Sequence, residues 1–218
     1  MNRAGSKHSR YGERTMRNHA GRAILTIAGC ASTFVCAVTI QAQTLVHDGQ
    51  SDYQIVSSPD ASPSEKFAAE ELQQHFDRCT GVELPIVTKW PPTTPMIVLG
   101  CGPVAESLGV QPEPASLGEQ GYVLRTVGNH LVIAGTPAAG TMYGVHDFLE
   151  TGLGVRWYAP GARKTPKVTE LLLPDVDRLV TPAFRWRHTS YAWPGRDAAF
   201  LARNRDNSGG GLQDHRYG

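Results

Sequence analysis

Adjacent carboxylates at Glu70-Glu71 are the first residues in the chain to suggest acid–base chemistry. Hydrolysis by paired carboxyls needs the two groups held about 5–10 Å apart on a rigid frame. Neighbouring helix positions diverge by about 100°, so Glu70 and Glu71 cannot address one substrate and read as a solvated face. Asp197, Asp206 and Asp214 lie in a polar, Gly-rich stretch with few apolar residues to build a frame. Gly100-Cys101-Gly102 lacks the spacing of a phosphate-binding loop. There is no G-x-S-x-G, and the eight histidines include no H-E-x-x-H or H-x-H pair. Neither a nucleophile elbow nor a metal or cofactor is therefore expected, and lone histidines such as His130 and His146 read as surface or packing residues. Aromatics gather late, at Trp157, Tyr158, Trp186, Tyr191 and Trp193. Flat rings suit stacking on sugars and suit packing between domains equally well. Trp157 and Trp186 stand in expected strands and read as packing. Tyr191 and Trp193 follow a strand as loop residues, and would face an active site if that strand opens a barrel.

The elements that would position these groups are legible from their punctuation. Tyr53–Ser57 reads as a strand. Ser62, Pro63 and Glu65 form a capping box with a proline at the first helical position. Ala68, Leu72, Phe76 and Cys79 then make one apolar stripe, and Gly81 sits where a left-handed cap belongs, so a helix is expected over 63–80. Leu84–Thr88 reads as a short strand and Met96–Gly100 as a central one. Residues 101–120 read as loop with one helical turn near Val104–Leu108. Gly121–Val127 and His130–Gly135 predict a hairpin turning at Gly128-Asn129. Thr136-Pro137 predicts a second helix start. Gly140 and Gly144 share a face of that helix, which points to close approach of its backbone to the sheet. Val155–Tyr158 reads as a further strand and Thr169–Leu173 as an extended piece. The pattern predicts an α/β (α+β) sandwich: a mixed sheet of five to six strands with two main helices on one face. After Pro182, Ala183–His188 reads as another strand and Asp197–Arg203 as a helical piece.

Composition bounds the partners. Of 218 residues, 40% are hydrophobic and 19% charged, with a net charge of +1. Residues 1–42 hold six Lys/Arg against one acid, residues 43–184 nine against sixteen, and residues 185–218 six against three. The acidic middle shows no basic stripe, so a nucleic-acid partner is not expected. Residues 23–40 are an uncharged apolar run behind basic residues and ahead of Ala42, the layout of a signal peptide cut after Ala42. A retained anchor is one alternative. A lipoprotein is another, because Ile27-Ala28-Gly29-Cys30 resembles a lipobox. An exported mature chain keeps Cys79 and Cys101, which either pair as a disulfide or stay as two free thiols.

Several segments together resemble a known family: SEKFAAEELQQHFDRCTGVELPI (64–86), MIVLGCGP (96–103), GYVLRTVGNHLVIAGTPAAGTMYGVHDFLE (121–150), GVRWYAPG (154–161) and PAFRWR (182–187). They are similar to the N-terminal domain of α-glucuronidases of glycoside hydrolase family 67, and to related secreted bacterial proteins carrying that domain ahead of a glycosidase barrel. The resemblance implies the fold of β-hexosaminidase domain 2. It also implies that the catalytic acids belong to a barrel following PAFRWR, so none is assigned here and the chain is expected to be inactive alone. The expected organisation is a signal peptide (1–42), an accessory domain (43–180) and the first strand and loop of a truncated barrel (181–218). The expected role is as the non-catalytic domain of an exported glycoside hydrolase acting on plant or uronic-acid-containing polysaccharide such as xylan. The residues expected nearest a poly- or oligosaccharide are Arg187, Tyr191, Trp193 and Arg203. The alternative is a stand-alone carbohydrate- or partner-binding domain.

Overall fold

Ser62 starts the first helix as its spacing predicts. In the computed structural model, which describes residues 43–90, 93–188 and 197–207, helix α1 spans Pro63–Thr80. Ser62 Oγ accepts from the Glu65 amide at 3.1 Å and Glu65 Oε2 accepts from the Ser62 amide at 2.9 Å. Gly81 closes the helix at φ 77°, its N–H donating to Asp77 O at 2.7 Å. Ser62 also donates to Pro137 O at 2.6 Å, which ties this helix start to a distant turn. Ser62→Ala is expected to cost about 1–2 kcal/mol, since it removes the cap and the tie together; urea denaturation reads the loss. The apolar run at 23–40, Cys30 and Ala42 lie outside the described residues. Among the described residues, no helix is long and apolar enough to cross a membrane.

The sheet has six strands. In chain order they are β2 (Gln54–Ser57), β3 (Ile86–Val87), β4 (Met96–Leu99), β5 (Tyr122–Val127), β6 (His130–Gly135) and β10 (Asp177–Val180), and in space they run β10-β5-β6-β4-β2-β3. β3, β2, β4 and β6 are parallel, while β5 runs antiparallel to both β6 and β10. The expected hairpin at Gly128-Asn129 joins β5 to β6. Every residue of β4 is buried because both of its faces are covered. Ile55, Ile97, Leu99, Leu131 and Ile133 face α1 and helix α4 (Gly140–Thr151). Val56, Met96, Val98, Val132 and Ala134 face the short helices α2 (Pro103–Ser107) and α3 (Pro114–Leu117). The two main helices therefore share one face, as expected, and two short ones close the other.

Four local expectations change. The Leu84–Thr88 strand shrinks to the two residues of β3, at the sheet edge. Val155–Tyr158 forms β7 (Arg156–Ala159), but β7 pairs with β8 (Ala162–Lys164) in a separate ribbon. The extended piece near 169–173 becomes β9 (Leu171–Leu172), paired with β1 (Thr44–Val46). Helix α4 begins at Gly140, four residues after the predicted cap. Thr136 still serves it, because Thr136 Oγ1 accepts from the Gly140 amide at 3.0 Å.

The glycines in α4 have the expected reason. A Cβ on Gly140 would run into the carbonyl oxygen of Gly121, and a Cβ on Gly144 would lie 2.6 Å from Ile133 Cγ2. Gly121, Gly135 and Gly140 thus bring the starts of β5 and α4 and the end of β6 into backbone contact.

Candidate functional site

Residues 183–188 and 197–207 are held against the domain at two points. The first is built on Glu71, which is 5% exposed. Helix α5 (Ala198–Arg203) is capped by Asp197, whose carboxylate accepts from the Phe200 amide at 2.8 Å. Its last residue, Arg203, donates through Nε and Nη2 to the two Glu71 oxygens, both at 2.7 Å. This bidentate fork is the strong form of a charge-assisted pair. The solvated-face expectation therefore holds for Glu70 and fails for Glu71, because α5 covers that side of α1.

Two imidazoles and an indole complete this cluster. His75 Nδ1 donates to Glu71 O at 3.0 Å, and His75 Nε2 accepts from Trp157 Nε1 at 3.4 Å. His146 Nδ1 donates to Ala202 O at 3.2 Å, and His146 Nε2 stands 3.7 Å from Glu71 Oε2. Both rings meet Trp157 edge-on, with centroids at 5.5 and 5.6 Å. His146 and Trp157 are thus the packing residues the sequence suggests.

Burial sets the protonation. It pushes His75 down to about 4, against the pull of Glu71, and it lowers His146 as well. Burial opposes ionisation of Glu71, yet hydrogen bonds and charge from Arg203 hold that carboxyl far below its usual range. A group whose folded-state pKa is depressed loses stability as pH falls. Between about 6.5 and 4 the unfolded chain binds protons that the folded His75 refuses. Below about 4.5 Glu71 adds to the loss with the same sign. The urea midpoint is therefore expected to fall progressively from pH 7 to pH 4. A midpoint flat across that range would refute the neutral assignment of His75.

The second holding point joins Arg205 and Asn207 to the domain. Arg205 Nη2 donates to Glu150 Oε2 at 2.7 Å. Arg205 is one of two described non-glycine residues with positive φ, at 57°, a conformation that persists only where surrounding contacts fix it. Asn207 brackets Arg187: Asn207 Oδ1 accepts from the Arg187 amide at 2.7 Å, Asn207 N donates to Arg187 O at 2.9 Å, and Asn207 Nδ2 donates to Arg185 O at 2.6 Å. Residues 183–188 consequently join no strand ladder, which corrects the expected strand. Asn207 occupies the hydrogen-bonding groups that a neighbouring strand would use.

The expected site residues divide accordingly. Arg203 is engaged with Glu71. Arg187 donates to Gln120, to Arg205 O at 2.7 Å and to Phe184 O at 2.8 Å, and its guanidinium sits 5.4 Å from the Tyr143 ring centre. A cavity of about 300 Å³ beside it is lined by Tyr122, Tyr143, Asp147, Phe184, Arg187 and Arg205. Tyr191 and Trp193 lie outside the described residues. Phe184 and Trp186 stand 74% and 66% exposed on the same segment. Cys79 is a buried free thiol in the core, and Cys101 is exposed and donates to Gly135 O at 3.4 Å, so the pairing left open by the sequence is not made.

Among the described residues, one exposed group has the makings of a metal site: His47, Asp48 and Glu170, with ligand atoms within 4.8 Å of one another. The β1–β9 pairing creates it from residues far apart in sequence, so no spacing rule could find it. His47 Nδ1 already bonds Glu170 Oε2 at 2.8 Å, which raises the histidine's pKa.

The family model for the glycosyl hydrolase family 67 N-terminus matches residues 38–148. No curated protein sequence matches the chain. Among solved structures, a family GH115 4-O-methyl-α-glucuronidase with specificity for decorated arabinogalactans aligns at TM-score 0.56 and 17% identity, over 76% of this chain and 25% of that one. A GH20 β-N-acetylhexosaminidase from Streptomyces coelicolor aligns at TM-score 0.44 and 15% identity, over 68% of this chain and 26% of that one. The chain spans about a quarter of the length of these two structures. At 17% identity the likeness to the GH115 enzyme is one of fold.

Proposed function

Because the chain belongs to the family of glycosyl hydrolase family 67 N-terminal domains, we propose that it is the non-catalytic front of an exported glycoside hydrolase acting on plant polysaccharide. The observation that carries this reading is the double hold on residues 183–188 and 197–207. A domain that spends a buried bidentate ion pair, a second ion pair and an asparagine bracket on one segment is built to fix where that segment goes. Under this proposal residues 181–218 are the stretch that leads into a catalytic barrel. Arg187 and Arg203 then orient that entry from below, and Tyr191 and Trp193 lie closest to the sugar. Glu71 cannot serve as a general acid, since its pKa is driven far below the operating range such an acid needs. Asp147 is tied to Arg178 and Glu150 to Arg205.

Sequencing the gene past the Gly218 codon tests the reading. A frame that stays open for several hundred residues and carries paired carboxylates supports it; an immediate stop codon overturns it. Assays of this chain alone on 4-nitrophenyl glycosides are expected to show no turnover. N-terminal sequencing of the protein from the cell envelope or medium is expected to start at Gln43.

A further inference from the structure

The β7–β8 ribbon gathers positive charge with which no carboxylate forms an ion pair among the described residues. Strand pairing sets Arg156 opposite Lys164, and both are exposed. Like charges directly opposite one another destabilise a ribbon. Arg163, one residue along, is exposed too, and its charge acts on Arg78 in the last turn of α1. Lys167 follows, donating to Arg78 O at 2.7 Å.

Part of this cluster has a local reason. Arg78 and Lys167 sit at the carboxyl end of α1, where the helix dipole favours cations. Arg156 donates to Glu150 O at 2.6 Å and Val155 O at 2.7 Å. Arg163 and Lys164 have no such partner. Among the described residues, all the ion pairs lie elsewhere. Asp77, which also acts on Arg78, pairs with none of the five. Residues 43–184 carry an excess of acids, so the patch is not a by-product of general basicity. Tyr158 is the extra residue in the bulge between Trp157 and Ala159, two residues along β7 from Arg156, and it is 67% exposed.

We propose that the Arg156–Lys164 side of the β7–β8 ribbon is a binding surface for an acidic polysaccharide. The cations meet its carboxylate or sulfate groups, and the Tyr158 ring stacks on a sugar. The choice of a glycan over other polyanions rests on the glycoside-hydrolase reading, while the charge and the exposed ring stand independently of it.

Affinity electrophoresis of the 218-residue chain decides the matter, using native gels containing polygalacturonate, neutral dextran or polyphosphate. Retardation by polygalacturonate and none by dextran is expected. Lys164→Glu should weaken binding about tenfold, because like charges then face each other. Tyr158→Ala should weaken it about threefold through loss of stacking. Circular dichroism should be unchanged in both variants; the melting temperature should be unchanged in Tyr158→Ala and unchanged or raised in Lys164→Glu, which sets an acid opposite Arg156. No retardation by polygalacturonate overturns the proposal, as does retardation that both variants leave intact. Equal retardation by polyphosphate, indifferent to Tyr158→Ala, also overturns it and assigns a phosphate polymer instead. None of these outcomes involves a catalytic barrel, so the non-catalytic reading stands or falls separately on the gene frame.

Discussion

Glu71→Ala is expected to lower stability by about 3–5 kcal/mol, the usual penalty for stranding one member of a buried ion pair. The variant leaves the Arg203 guanidinium, whose side chain is 15% exposed, without its carboxylate. Because Arg203 ends α5, the loss should show first as release of residues 197–207, read by faster proteolysis there. It should then show as a lower urea midpoint for the whole domain. A joint replacement, Glu71→Met with Arg203→Leu, is expected to recover most of the stability, because no charge is left stranded. If Glu71→Ala changes the unfolding free energy by less than about 1 kcal/mol, in the range typical of exposed pairs, the cluster does not anchor α5.

Gly140→Ala should cost about 3 kcal/mol or more, at the upper end of overpacking effects. The obstacle is the Gly121 carbonyl oxygen, which is backbone and cannot rotate away. The start of α4 would have to lift from the sheet, breaking the Thr136–Gly140 and Thr136–Glu119 hydrogen bonds. Gly144→Ala is the internal comparison. Its neighbours are the Ile133 methyl and the Tyr122 ring, side chains able to shift, and alanine gains about 1 kcal/mol in helix propensity. A clear gap in melting temperature between the two variants is expected. Equal effects would mean that side-chain crowding, not backbone approach, governs this face.

How far these features could be read in advance depends on how local their causes are. The α1 capping box, the Gly81 cap and the Gly128-Asn129 hairpin are each decided within a few residues, and the sequence displays them openly. The Gly140–Gly144 spacing announced close approach, though it could not name Gly121 as the partner. Glu71 was misread because its environment is made by α5, 132 residues later. β10 escaped notice for the same reason, since its partner β5 lies some fifty residues upstream and its own four residues, Asp-Arg-Leu-Val, carry only a short alternation. The basic patch was invisible because its five cations come from three stretches of chain within a segment whose total charge is negative. Only the pairing of β7 with β8 brings Arg156 and Lys164 together.

The bracket formed by Asn207 bears on solubility. A run of residues with free amides and carbonyls is a template on which another chain can add a strand, and aromatic side chains such as Phe184 and Trp186 make such an addition more favourable. Asn207 occupies the Arg187 amide and the Arg185 and Arg187 carbonyls from within the same molecule. The exposed aromatic segment is thereby denied the backbone pairing that would turn its stickiness into ordered aggregation. Asn207→Ala is the change that would reopen that edge.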